Sequence, residues 1–291
     1  MKVLILGATG YIGFPVAQAL CRAGHIVYGQ TRSEEKAPKL AAEEIYPIIG
    51  EPNSSAWHHL VPTLDVIIQA IGGRNPEISK EIFQSIVSLS SDTSLRPPGS
   101  PKLTFIYTSG IAVHGAYRDE IISDTTPIVV AKSGELAKGH AAQEQAVREN
   151  QVFNGIVIRP GFVFGRSMEG SAFGPMLFAQ AKAGKGGGKV SFPGKPGGHL
   201  PVVHQDDLAD LYVRVAEKAL LIGGLALDGV NDITESTEGV LQRFIEVSGM
   251  KGPVEYREPQ HMFDVAPRKI GFADGMHLYY NAYLANTQKQ S

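Results

Sequence analysis

The stretch "LILGATGYIG", residues 4–13, decides the fold. Its first residues close an apolar run, "KVLIL" over 2–6, that reads as a buried strand, and a helical pattern follows over 11–23. Between them Gly7, Gly10 and Gly13 stand in G-x-x-G-x-x-G spacing. A chain that turns this tightly brings backbone N–H groups against a pyrophosphate, at a helix N-terminus whose dipole favours an anion. Glycines alone are a weak signal, but between a strand and a helix they form a dinucleotide-binding fingerprint. The predicted cradle is Gly7, Thr9, Gly10, Tyr11, Ile12 and Gly13.

Working outward, further apolar runs at 26–30, 45–49, 65–70, 103–108 and 155–160 read as strands. Helical patterns near 33–42, 54–61, 78–92, 134–150 and 171–182 lie between or after them. Strand–helix alternation with β-branched strands predicts an α/β fold with a doubly wound parallel sheet. Beyond about residue 160 the pattern loosens. "AGKGGGKVSFPGKPGGHLP" (183–201) lacks P-loop spacing and reads as a loop around a short strand. A helix over 206–220, a strand near 225–230 and a helix near 236–248 follow. We expect one domain: a dinucleotide-binding core over 1–160, and a smaller substrate-side lobe over 161–291 interleaved with it.

The end of the second strand, "YGQTRSEE", speaks to the cofactor. NAD calls for a carboxylate about 20 residues beyond the glycines to hold the ribose. Here the tip carries Gln30, Thr31, Arg32 and Ser33. A guanidinium suits a 2′-phosphate, and flanking hydroxyls add hydrogen bonds. Glu34 and Glu35 fit the first turn of the next helix, with Ser33 as its N-cap. NADP(H) is therefore the expected cofactor, with Thr31, Arg32 and Ser33 on its phosphate.

Composition narrows the classes. The 291 residues are 43% hydrophobic and 19% charged, with a net charge of −2 and no clustered Lys/Arg face. That argues against nucleic-acid and membrane surfaces. The single cysteine, Cys21, falls in a helical pattern and cannot form an internal disulfide. It reads as a core thiol in a reducing, cytoplasmic setting. The first apolar run is too short for a signal-peptide core or a span. His58-His59 and "HQDD" (204–207) make no closed or catalytic ligand set, so no metal is expected.

Five motifs together resemble the short-chain dehydrogenase/reductase superfamily, in its extended or atypical branch of epimerase/dehydratase-like, Rossmann-type proteins. They are "GATGYIG", "AIGG" (70–73), "IYTSGIAVHG" (106–115), "VIRPGFVFG" (157–165) and "LPVVHQDDLADLY" (200–212), and the likeness spans about residues 1–250. The resemblance implies that Ala70, Ile71 and Gly72 lie beside the cofactor. It also implies that Thr108 and Ser109 carry the strand-five hydroxyls, and that Pro160, Gly161 and Val163 touch the nicotinamide end. Relatives of this type often dimerise through a four-helix contact, which would use 78–92 and 134–150; the chain is expected to be a monomer or a homodimer.

The family's active-site pair is a tyrosine with a lysine four residues later. None of the ten tyrosines here has one. Setting Glu144 on a glutamate of the family pattern places Leu136 on the tyrosine and His140 on the lysine. The strand-five hydroxyl position falls on Gly110, with Ser109 one residue early. Leucine exchanges no proton, so another acid must serve any reduction. The candidates are His140, which titrates in the useful range and also stands where the family's lysine meets the cofactor, then Tyr117 and Ser109. His114, where the family pattern has an aromatic, reads as a packing residue. His204 and Asp207 read as ties between the late helix and the cofactor lobe. Three functions stay open: an NADP(H)-dependent oxidoreductase acting on a small organic carbonyl, alkene or sugar-like compound; a silent NADP-binding sensor similar to the NmrA-like branch; and a cofactor-assisted isomerase or epimerase.

Overall fold

All six strands expected in the first 160 residues form, each within two residues of its predicted bounds at either end. In this computed structural model the described residues are 1–71, 76–115, 122–129, 135–168, 170–171, 174, 178, 180–185, 187–188, 190–193, 197–251, 254–257, 276 and 280–281. In chain order β1 (Lys2–Leu6), α1 (Gly13–Arg22), β2 (Ile26–Thr31), α2 (Ala37–Ala41), β3 (Tyr46–Ile49) and β4 (Val66–Gln69) come first. They are followed by α3 (Pro76–Ser91), β5 (Thr104–Thr108), α4 (Glu135–Arg148), β6 (Asn154–Pro160) and β7 (Phe162–Phe164). The later elements are α5 (Gln180–Lys185), β8 (Val190–Pro193), β9 (His199–Leu200), β10 (Val202–His204) and α6 (Gln205–Glu217). Last come β11 (Ala226–Gly229), β12 (Glu235–Ser236), α7 (Thr237–Ser248) and β13 (Val254–Arg257).

Seven strands build the central parallel sheet in the order β11-β6-β5-β4-β1-β2-β3. The order reverses between β1 and β4, the switch point outside which ligands bind in such sheets. Val3 of β1 is in register with Val27 on one side and Val66 on the other. The inner strands β4 and β5 are buried on both faces, so they read as continuous apolar runs, whereas the edge strand β3 is partly exposed. Leu4, Leu6, Ile67, Phe105 and Tyr107 pack with Ile82 and Ile86 of α3 and Val147 of α4. The chain clusters into two compact units. One comprises 1–110, 135–159 and 209–227; the other comprises 111–134, 160–208 and 228–291.

Several local expectations need correction. The stretch 54–61 forms a 3-10 helix, Ser55–Thr63, with Pro62 inside it and the buried Trp57 donating to the Pro52 carbonyl at 2.9 Å. Proline removes an N–H and crowds the preceding turn, which disfavours an α-helix there. The stretch 33–42 splits into a 3-10 turn, Glu34–Lys36, and α2. Ser33 does occupy the N-cap position of that turn, but its hydroxyl makes no capping bond. The strands β7, β9, β10, β12 and β13 went unanticipated. They are two to four residues long and pair β7 with β10, β9 with β12, and β8 with β13. Among the described residues no helix is long and apolar enough to cross a membrane.

Helix α4 is fixed to the sheet at two points. A Cβ on Gly155 of β6 would stand 1.9 Å from the Val147 carbonyl oxygen, so the helix backbone lies directly against the strand. One helical turn before Val147, Glu144 accepts from Arg159 Nη2 at 2.7 Å and from its Nε at 3.0 Å, both side chains almost fully buried. Removing one member of a buried pair strands the other charge in a low dielectric. Arg159→Met should therefore lower unfolding stability by about 3–5 kcal/mol in urea titration. The double variant with Glu144→Leu should regain most of that loss. A single-variant loss below about 1 kcal/mol, the worth of an exposed pair, would refute this role.

Candidate functional site

The glycine turn lies at the switch point. Gly7 has φ +87°, and a Cβ there would meet the Ala70 carbonyl oxygen, just past β4, at 2.8 Å. Ala70 in turn donates to Leu6 O at 2.9 Å, which holds the two strand ends together. A Cβ on Gly13 would stand 2.2 Å from the Gly7 carbonyl oxygen, and one on Gly10 at 3.1 Å from it. Glycine is thus required twice over at Gly7, by conformation and by crowding. Helix α1 begins after Ile12 with no side-chain cap and no acidic residue in its first turn. In its first turn Phe14 donates to Gly10 O at 3.0 Å and Pro15 has no N–H, so the Gly13 N–H stands at the positive end of the dipole. Such an end accepts phosphate oxygens.

Behind the turn, Gln30 does work that sequence reading missed. It is buried, its Oε1 accepts from the Gly7 N–H at 2.9 Å, and its Nε2 donates to the Gly50 carbonyl. Thr31 is also buried; its Oγ1 meets Thr9 Oγ1 at 3.2 Å and accepts from the Ser33 N–H at 3.2 Å. These two residues brace the loop. Arg32 is exposed, and its guanidinium makes no hydrogen bond or ion pair with the described residues. The Ser33 hydroxyl is likewise uncommitted, whereas Glu34 and Glu35 are exposed on the turn beyond.

At the end of β5, alternation sends neighbouring side chains to opposite faces. Thr108 Oγ1 meets the Tyr212 hydroxyl of α6 at 2.7 Å in a buried pair, and burial pushes the Tyr212 phenol up. Tyr107 turns to the α3 and α4 side, where its hydroxyl is 2.7 Å from His140 Nδ1. Ser79 is the phenol's second polar neighbour, and the Gln69 amide nitrogen donates to Ser79. Burial raises the Tyr107 phenol and lowers His140, the latter partly opposed by the Glu144 carboxylate. Ser109 Oγ is buried with no hydrogen-bond partner. A buried hydroxyl left without a partner is costly and marks a place where a ligand atom is missing. The glycine cradle, the uncapped helix and this hydroxyl together fit a dinucleotide. Tyr117 and Gly72 lie outside the described residues.

The second unit holds the remaining predicted positions. Gly161 donates to Gly229 O at 3.0 Å, and a Cβ on it would meet Pro201 O at 2.4 Å. Pro160 ends β6, and Val163 lies in β7, paired in register with Val203. His204 precedes α6, and its Nδ1 accepts from the Asp206 N–H at 3.2 Å while its ring meets Phe164 edge-on at 5.3 Å. It caps its own helix. His114 is packed as expected, fully buried, and also has a polar partner: its Nε2 lies 3.0 and 3.2 Å from the two Asp228 oxygens. A buried imidazole needs a polar partner, and the carboxylate supplies it. Cys21 is only half-buried, with its thiol raised chiefly by burial.

Residues 3–223 match the NAD dependent epimerase/dehydratase family. An uncharacterized protein of Schizosaccharomyces pombe is 30% identical over 221 residues, covering 75% of this chain and 71% of that one. A chloroplastic epimerase family protein of Arabidopsis thaliana is 26% identical over 226 residues, 72% of this chain and 61% of its own length. Among solved structures, dTDP-glucose 4,6-dehydratase from Bacillus anthracis, in complex with NAD, superposes with a TM-score of 0.78 at 14% identity, over 99% of this chain and 98% of that one. UDP-glucose 4-epimerase from Bifidobacterium longum, with NAD+ and UDP, gives 0.74 at 15% identity over 100% of both chains. The solved structures speak for the fold alone, but the family match runs through three quarters of the sequence: the chain belongs to the NAD dependent epimerase/dehydratase family.

Proposed function

We propose that this chain is an NADP(H)-dependent oxidoreductase acting on a small organic carbonyl, alkene or sugar-like compound. The observation that carries the reading is the β2 tip. Its acceptor-capable side chains, Gln30 and Thr31, are consumed in bracing the glycine loop, while Arg32 and Ser33 remain unengaged beyond it. A free guanidinium beside a free hydroxyl suits a 2′-phosphate better than a bare ribose. The pyrophosphate is assigned to the N–H groups of the Gly7–Gly13 turn, with Ala70 and Ile71 beside it and Pro160, Gly161 and Val163 toward the nicotinamide. When bound, the nicotinamide supplies hydride transfer.

The chain's own residues handle the oxygen that changes charge. Among the described residues Ser109 offers a buried hydroxyl without a partner, and His140 offers Nε2, the ring nitrogen that Tyr107 does not meet. Tyr117 is the remaining candidate acid. A sugar-like substrate draws support from the epimerases and dehydratases that share the fold. The absence of a tyrosine four residues ahead of His140 keeps a second reading in view, a sensor that binds NADP(H) without turnover; such a sensor must bind the two redox forms unequally.

Fluorescence titration with NADPH and NADH tests the reading. NADPH should bind at least tenfold more tightly than NADH, and Arg32→Ala should erase that preference while leaving NADH unchanged. Equal affinities for NADPH and NADH would overturn the NADP(H) assignment. Gly13→Ala, which drives a methyl into the Gly7 carbonyl, should weaken both nucleotides at least tenfold; unaltered binding would place the nucleotide elsewhere. Equal dissociation constants for NADPH and NADP+ would exclude the sensor.

A further inference from the structure

We propose that Tyr107 is a positioning residue that holds His140 as a neutral imidazole with its proton on Nε2, making α4 a fixed hydrogen-bond donor to a ligand oxygen. The proposal rests on the oxidoreductase reading only for the identity of that oxygen, on the dinucleotide or on the substrate beside it. Its basis is a chain of side chains through β4, α3, β5 and α4.

The direction of the chain follows from what each group can do. The Gln69 amide nitrogen has only protons to offer, so the Ser79 oxygen accepts. This leaves Gln69 Oε1 buried without a partner. An unpaired buried carbonyl oxygen is more tolerable than an unpaired N–H, so the opposite amide orientation is the worse one. Ser79, which accepts from Gln69, keeps a proton of its own and stands near the Tyr107 phenol. The Tyr107 hydroxyl lies 2.7 Å from His140 Nδ1, shorter than the about 2.9–3.0 Å usual for an N–H donor to oxygen, so the phenol is the donor and its proton goes to Nδ1. A neutral imidazole that accepts at Nδ1 carries its proton at Nε2.

Two further features keep the proton there. Burial opposes the charged forms of both rings, so neither a phenolate nor an imidazolium is favoured. Glu144, the carboxylate that could draw a second proton onto His140, is already taken up by the Arg159 guanidinium. Among the described residues His140 Nε2 meets no hydrogen-bond partner, so its N–H is available to a ligand. The consequence separates His140 from the acids: passing on its proton would leave either an imidazolate or a buried tyrosinate. It donates a hydrogen bond and keeps the proton, and the acid for reduction must come from elsewhere, which favours Tyr117.

The test is nitrogen-15 NMR of the ligand-free protein, with the His140 signals among the nine histidines identified by their loss in His140→Gln. The wild type should show a bare Nδ1 and a protonated Nε2. Tyr107→Phe keeps the ring that packs in the core and removes the hydroxyl; it should give an exchange-averaged mixture of tautomers. A protonated Nδ1 in the wild type, or a tautomer unchanged in Tyr107→Phe, would overturn the proposal. NADPH titration of the same proteins then assigns the acceptor. At least fivefold weaker binding in Tyr107→Phe, with affinity kept in His140→Gln, whose amide still donates, places the acceptor on the dinucleotide. Unchanged binding alongside the altered tautomer places it on the substrate. If the wild type binds no NADPH at all, the oxidoreductase reading fails, while the tautomer measurement still decides the role of Tyr107.

Discussion

The contact between the ends of β1 and β4 governs how this chain is built. Gly7 approaches the Ala70 carbonyl so closely that no side chain fits, and Gly13 approaches the Gly7 carbonyl more closely still. Those two approaches set where α1 starts and therefore where its uncapped N–H groups stand. Gln30 then fills the remaining polar demand by joining the Gly7 N–H to the Gly50 carbonyl. The turn is thus shaped by close packing: the same absence of side chains that lets three strand ends meet also brings the N-terminus of α1 to the switch point of the sheet.

The helix that carries the family's chemistry tells a different story. Glu144 and Val147 anchor α4 to β6, and His140 sits one turn before that anchor. Tyr107, one residue before Thr108 on β5, meets His140 from the sheet. A phenol raised by burial and an imidazole lowered by it both resist ionisation, so the pair has the electrostatics of a hydrogen-bonded prop. An ammonium–phenol pair, by contrast, is built to move a proton.

The sheet and the cradle were legible because their signals are local. Strands buried on both faces spell themselves as short β-branched runs, and the glycine spacing sits inside one turn. The short strand pairs were not legible, because β7 with β10 and β9 with β12 are specified by partners some 35 to 40 residues away, not by their own pattern. Pro62 concealed a 3-10 helix inside an apparent α-helix. His114 read as packing because Asp228 lies 114 residues later, and Tyr107 read as an ordinary core aromatic because His140 lies 33 residues on. Gln30 and Thr31 looked like ligand-facing residues at a strand tip, yet their burial turns them inward and leaves Arg32 and Ser33 facing out.

Gly155 has a consequence for how such a protein can change over time. With the Val147 carbonyl seated against its bare Cα, and the Arg159–Glu144 pair one turn away, the C-terminal half of α4 is held to β6 by a backbone contact and a buried ion pair. Any side chain at position 155 would push the helix off the strand, so this position is closed to substitution by its neighbour in α4, although the backbone of β6 would itself accept any residue.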